Sequence, residues 1–165
     1  ITVGELGDIY VADWRNDRVQ KFDTNGKFVF EFGTSGDGDG EFNRPTDVAV
    51  DLDGDIYVAD RGNNRVQMFN PEPRYVQKFL GDATLSNVAR DYMMTNASPN
   101  RLRDMAVLEP QKLLRQPKGL VIDEEGRLFI TDTGSYRVQV YQKEVIHLTP
   151  QQLAPPMRNV TLHQE

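Results

Sequence analysis

The chain has 165 residues, 38% hydrophobic and 27% charged, with a formal net charge of −6 and no cysteine. That composition suits a single globular domain and excludes disulfides and thiolate metal sites. With no basic run, it also disfavours binding a nucleic-acid backbone, which depends on Lys and Arg displacing counterions. The apolar runs are too short for a membrane-spanning helix, and nothing in the sequence fixes a compartment.

In chain order, Gly7-Asp8-Ile9-Tyr10-Val11-Ala12-Asp13 is followed by Arg18-Val19-Gln20-Lys21-Phe22. The same pair of strings returns as Gly54–Asp60 and Arg65–Phe69, 47 residues on, and as Gly126–Asp132 and Arg137–Tyr141, a further 72 residues on. Self-similarity at such spacings is the mark of a repeat architecture. Each period holds four short strands. In the second copy strand a is Thr46–Asp51, strand b Asp55–Ala59, strand c Arg65–Phe69 and strand d Tyr75–Leu80; in the first copy strand d is Lys27–Phe32. Val, Ile, Tyr and Phe runs bounded by Asp-Gly and Asn-Gly turns are the expected signature of hairpins.

Pro45–Phe69 and Pro117–Tyr141 follow the order Pro-x-(Asp/Gly)-(Val/Leu)-x-(Val/Ile)-Asp, then Gly-x-(Ile/Leu)-(Tyr/Phe)-(Val/Ile)-x-Asp, then Asn-x-Arg-Val-Gln, with Ser135-Tyr136 replacing the Asn pair in the later copy. This resembles the NHL repeat. The resemblance implies an all-β fold, a β-propeller of four-stranded antiparallel blades. Three blades are expected, at 1–33, 42–81 and 114–148, as part of a six-bladed ring. A helical insertion occupies 82–113 and a Pro-containing tail 149–165. The chain starts inside a strand a, so a fragment of a longer protein, a half-ring that pairs with a second copy, or a ring completed by another subunit are the alternatives.

Stacked blades bury both faces of most strands, which accounts for Ile56-Tyr57-Val58-Ala59 and Leu128-Phe129-Ile130. Asp13 with Arg18, Asp60 with Arg65, and Asp132 with Arg137 flank the b–c loops and are expected as structural pairs. Leu52-Asp53-Gly54-Asp55 lacks the Gly and bidentate Glu positions of an EF-hand loop and reads as a hairpin turn.

Counting strand directions puts the b–c loops and the d-to-a connections on one face. That face carries Trp14, Arg15, Asn16, Arg61, Asn63, Asn64, Ser135 and Tyr136, with the acidic Gly33–Glu41. In the insertion, Leu85, Val88, Ala89 and Tyr92 fall on one helical face, and Leu102, Met105, Ala106 and Leu108 suggest a second short helix. Tyr92, Met93 and Met94 are candidate partner contacts there. Asn96-Ala97-Ser98 and Asn159-Val160-Thr161 match glycosylation sequons.

The expected function is a non-catalytic binding or scaffold module that engages a protein partner, or another propeller half, through the loop-rich face and the insertion. One alternative is a metal-dependent propeller hydrolase or lyase. Against it, the two histidines, His147 and His163, lie outside the blade motifs, so zinc has no ligand set, and no Ser has a His beside it. No cofactor is expected, although a calcium ion held by backbone carbonyls would leave no trace in sequence. The second alternative is RNA binding, as in NHL propellers of animal tripartite-motif proteins. Here Arg15, Arg18, Arg61 and Arg65 share their face with Asp17, Asp37, Asp39 and Glu41, a mixed field that steers polyanions poorly.

Overall fold

The computed structural model describes residues 1–83 and 109–143. Alternating apolar strings and tight polar turns build three antiparallel sheets, one for each sequence repeat. The first joins β1 (Thr2–Val3), β2 (Ile9–Asp13), β3 (Arg18–Phe22) and β4 (Phe28–Phe32) in that order. A connection containing the short parallel pair β5 (Thr34–Ser35) and β6 (Glu41–Phe42) leads to the second sheet. This is formed by β7 (Pro45–Val50), β8 (Ile56–Asp60), β9 (Arg65–Phe69) and β10 (Tyr75–Phe79). A single-turn helix, α1 (Glu109–Lys112), precedes the third sheet of β11 (Pro117–Ile122), β12 (Arg127–Asp132) and β13 (Arg137–Gln142).

Strand c of the second blade lies at Arg65–Phe69 as expected, while the bounds of strands a, b and d differ by about one residue; for a and b the reason is chemical. Asp51 and Asp55 belong to a turn, where the Asp51 carboxylate accepts the Asp53 and Asp55 amides at 3.0 and 2.9 Å. Asp123 closes the matching turn of the third repeat in the same way, and Asp23 the turn between β3 and β4 of the first. Gly26, Gly54 and Gly126 supply the positive φ that each turn requires. Asp60 stays in register with Pro45 and Arg65, so it ends strand b and does not enter the loop.

The sheets stack face to face as blades. Tyr10 and Val19 of the first blade meet Phe42, Val48, Ile56, Val58 and Phe69 in one core. On the other side of the second blade, Tyr57, Ala59, Val66 and Met68 meet Leu114, Leu120, Leu128 and Ile130. Every residue of β8 and β9 is therefore buried. Residues 128–130 depart from the expectation of two buried faces: Leu128 and Ile130 are buried, but Phe129 is only half-buried. Val121, Val138 and Val140 on that outward side are exposed, as are Val3 and Phe28 on the far side of the first blade. Among the described residues nothing covers these two faces.

The expected strand d at Val145–Leu148, the tail and both sequons lie outside the described residues. So do the two expected insertion helices and Tyr92, Met93 and Met94. The described ends of the insertion are tied together, the Leu114 amide donating to the Leu80 carbonyl at 2.7 Å and the Ala83 amide to the Lys112 carbonyl at 3.2 Å.

Candidate binding face

The b–c loops have a common frame. Arg61–Asn63 and Thr133–Ser135 form single 3-10 turns, closed by Asn64 and Tyr136 in left-handed conformation. Asp17 has the same conformation in the first blade. Below each loop lies the Asp–Arg pair. Asp60 is fully buried and accepts from Arg65 Nε at 2.7 Å and from the Asn43 amide at 2.8 Å. Arg65 spends its remaining donors on the carbonyls of Asp37, Gly38 and Glu41, at 2.7–2.9 Å. Arg137 repeats this with Asp132 and with the carbonyls of Gln111, Lys112 and Leu113. The same side chains thus pin the connection that enters each blade. In the first blade Arg18 reaches Asp13 at 3.0 Å but turns its free end to the Glu31 carboxylate at 2.7 Å. Asn16 above all, with help from Arg18, holds the Asp13 carboxyl below the usual carboxylate range, although partial burial opposes the shift.

Adjacent blades are stitched at the left-handed residues. Asp17 Oδ1 accepts the Arg44 amide at 2.7 Å, and Asn64 Oδ1 accepts the Gln116 amide at 2.8 Å. Tyr136 occupies the third such position without the short side-chain carbonyl oxygen that makes the stitch, and is 97% exposed.

Between the loops of the first two blades and the inner strands of the second and third lies a cavity of about 580 Å³. It is lined by Trp14, Arg44, Thr46, Asp47, Arg61, Lys118, Gly119 and Thr131. Trp14 is half exposed, with the Arg15 guanidinium 5.1 Å from its ring. Of the loop residues named from sequence, the fold brings Trp14 and Arg61 into this cavity. Asn63 is spent on Asp60 and the Gly36 carbonyl, Asn64 on the blade stitch, and Asn16 on Asp13. Ser135 instead lines a separate, smaller depression with Arg115 and Arg137. Arg44 and Lys118 had no signal in the sequence beyond flanking the Pro45 and Pro117 that open each strand a.

On the opposite face, Asp51, Asp53 and Asp55 bring three carboxylates within 4.8 Å of one another. The Lys143 ammonium sits among them, at 2.6–2.8 Å from each. Burial opposes its charge, but the three carboxylates outweigh burial and push the Lys143 pKa up. A side chain of this chain already supplies the cation for that cluster.

The NHL repeat pattern matches residues 42–69 and 114–141. The chain carries NHL repeats. The Drosophila melanogaster protein Brain tumor is 30% identical over 156 residues, which is 89% of this chain and 12% of that protein. Among solved structures, a protein of unknown function from Bacteroides thetaiotaomicron superposes with a TM-score of 0.54 at 19% identity, over 82% of this chain and 32% of that one. A streptogramin B lyase superposes with a TM-score of 0.50 at 15% identity, over 86% of this chain and 39% of that one. At these identities the structural likeness shows the propeller fold alone. This NHL chain spans a minor part of each relative, and no helix among the described residues is long and apolar enough to cross a membrane.

Proposed function

We propose that this NHL propeller is a non-catalytic, protein-binding module whose ligand sits on the loop-rich face. Tyr136 carries the reading. Its left-handed backbone disfavours a bulky side chain, and the sibling blades place Asp17 and Asn64 there. A 97% exposed aromatic ring at such a position adds little to the described blades, so its value lies in contact with a further blade or with a ligand, and its place on the same loop-rich face as Trp14 and Arg61 supports the ligand. Binding is favoured over catalysis because, among the described residues, the one carboxylate lining the cavity on this face, Asp47, has its oxygens engaged by the Val48 and Leu120 amides, at 3.0 and 2.8 Å. A carboxylate held in this way is a poor general base.

The uncovered outer faces of the first and third blades serve a different partner, a neighbouring blade. Their exposed valines suit a packed sheet, supplied by a longer chain, another subunit or a second copy.

A photo-crosslinking side chain placed at Tyr136, and in parallel at Lys27 on the turn face, tests the binding face in extracts of the source cell. The reading expects a discrete protein adduct from position 136 and none from position 27. Equal labelling from both faces, or adducts only from position 27, refutes it.

A further inference from the structure

We infer that the cavity beside Trp14 binds an acidic peptide segment, a ligand assignment that rests on the protein-binding reading above. Three cationic side chains, Arg44, Arg61 and Lys118, converge on one pocket in a chain whose net charge is −6. All three are exposed. Arg44 and Lys118 have no ion-pair partner among the described residues, and Arg61 has only the neutral Gln116 carbonyl at 3.2 Å. Among the described residues the single opposing carboxylate of the lining, Asp47, is held by backbone amides, so they give the pocket a net positive charge.

The walls are already set. Thr46 donates its hydroxyl to the Pro117 carbonyl at 3.3 Å, and Thr131 Oγ1 accepts the Gly119 amide at 2.7 Å while donating to the Gly119 carbonyl at 3.2 Å. Little ordering remains to be done on binding. The Trp14 ring offers a flat apolar surface at the rim, where a peptide backbone or aliphatic side chain packs. A cavity of about 580 Å³ holds a few side chains, which suits two or three consecutive residues of a peptide.

A peptide fits better than a nucleic acid because the cations cluster at the pocket and do not form a track. Affinity for a polyphosphate backbone grows with the number of phosphates neutralised along a track. Outside the pocket the same face mixes exposed Arg15 and Arg115 with Asp17 and Asp37, and Glu31 and Asp39 are already paired with Arg18 and Lys78, so no continuous cationic track leads a strand out of it. A short run of carboxylates needs no such track.

Fluorescence anisotropy with a labelled Gly-Glu-Glu-Leu-Glu-Glu-Gly peptide tests the inference, using the whole chain, the Gln counterpart of the peptide and a labelled heptauridylate. Saturable binding of the Glu peptide is expected, with the Gln peptide weaker by about tenfold or more. Arg61→Glu and Lys118→Glu should each cost a further tenfold or so, while Lys27→Glu, the same charge change on the opposite face, should leave binding intact. The neutral Arg61→Gln and Lys118→Gln variants guard against misfolding, and each must melt like the parent. Equal affinity for the Glu and Gln peptides, no Glu-peptide binding at millimolar concentration, or indifference to the charge reversals overturns the proposal. Tighter binding of heptauridylate, lost in the same variants, also overturns it and makes the pocket a nucleic-acid site. If the peptide fails while the position-136 adduct persists, the ligand chemistry falls and the binding face stands.

Discussion

Truncating Arg65 should cost far more than truncating Arg18, although both open the same Arg-Val-Gln string. Arg65 is 4% exposed and Asp60 0%. Arg65→Ala removes the charge-assisted bond to Asp60 and three bonds to the carbonyls of Asp37, Gly38 and Glu41. It leaves the buried Asp60 carboxylate without its counter-charge. Breaking a buried pair in this way costs about 3–5 kcal/mol, a large share of the roughly 5–15 kcal/mol that holds a domain together. Arg65→Lys restores the charge but not the planar fork, so it should recover only part of the loss. Arg18 lies at the solvent edge and pins no incoming connection, so Arg18→Ala should register as a small fraction of the Arg65 effect. Urea unfolding followed by far-UV circular dichroism measures all three, with an unchanged m-value confirming that the native state is comparable. Equal destabilisation by Arg18→Ala and Arg65→Ala would refute the claim that the arginines act by pinning the incoming segment.

Lys143→Met should destabilise the chain by about 1–2 kcal/mol at pH 7, since three charged hydrogen bonds vanish and three carboxylates are left to repel one another. In the parent, Lys143, chiefly through its hydrogen bond, holds the Asp53 carboxyl below its usual value near 3.8. That part of the stability is present above pH 4 and lost as pH falls through the lowered value, so the gap between parent and variant should shrink in chemical denaturation at pH 3. Phe42→Ala should cost about 3–5 kcal/mol, because the ring is fully buried against Phe32 and Phe69. Gly33→Ala should destabilise through the same ring, because a Cβ there would run into it on a backbone with φ +94°; a thermal melt unchanged in either variant would contradict that packing. Tyr136→Asn should raise stability by about 1 kcal/mol, since Asn tolerates the left-handed backbone and no packing is lost, and a lower melting temperature would show that the ring packs on the fold.

The blades were legible because each rests on local chemistry. The Ile-Tyr-Val-Ala-Asp and Arg-Val-Gln strings, separated by short polar loops, fix β8 and β9 without reference to the rest of the chain, and a carboxylate that caps its own turn does the same for the 51–55 hairpin. The cavity was not legible, because Trp14, Arg44, Arg61 and Lys118 meet only when three blades stack. Neither was the Lys143 clasp, whose partners stand 92, 90 and 88 residues away. The field of the loop face is likewise not legible from its charged residues: Arg65 is buried as a structural tie, while Arg44 and Lys118, at the mouths of β7 and β11, are exposed there.

The most direct test of the loop-rich face as the binding surface is the affinity of the partner captured from position 136, measured by calorimetry against Tyr136→Ala and Leu52→Ala. Leu52 is 70% exposed on the turn face and serves as the control. A loss of about tenfold or more for Tyr136→Ala, with Leu52→Ala binding like the parent, is the expected result. Unchanged affinity for Tyr136→Ala together with a loss for Leu52→Ala would put the partner on the other face and contradict the account.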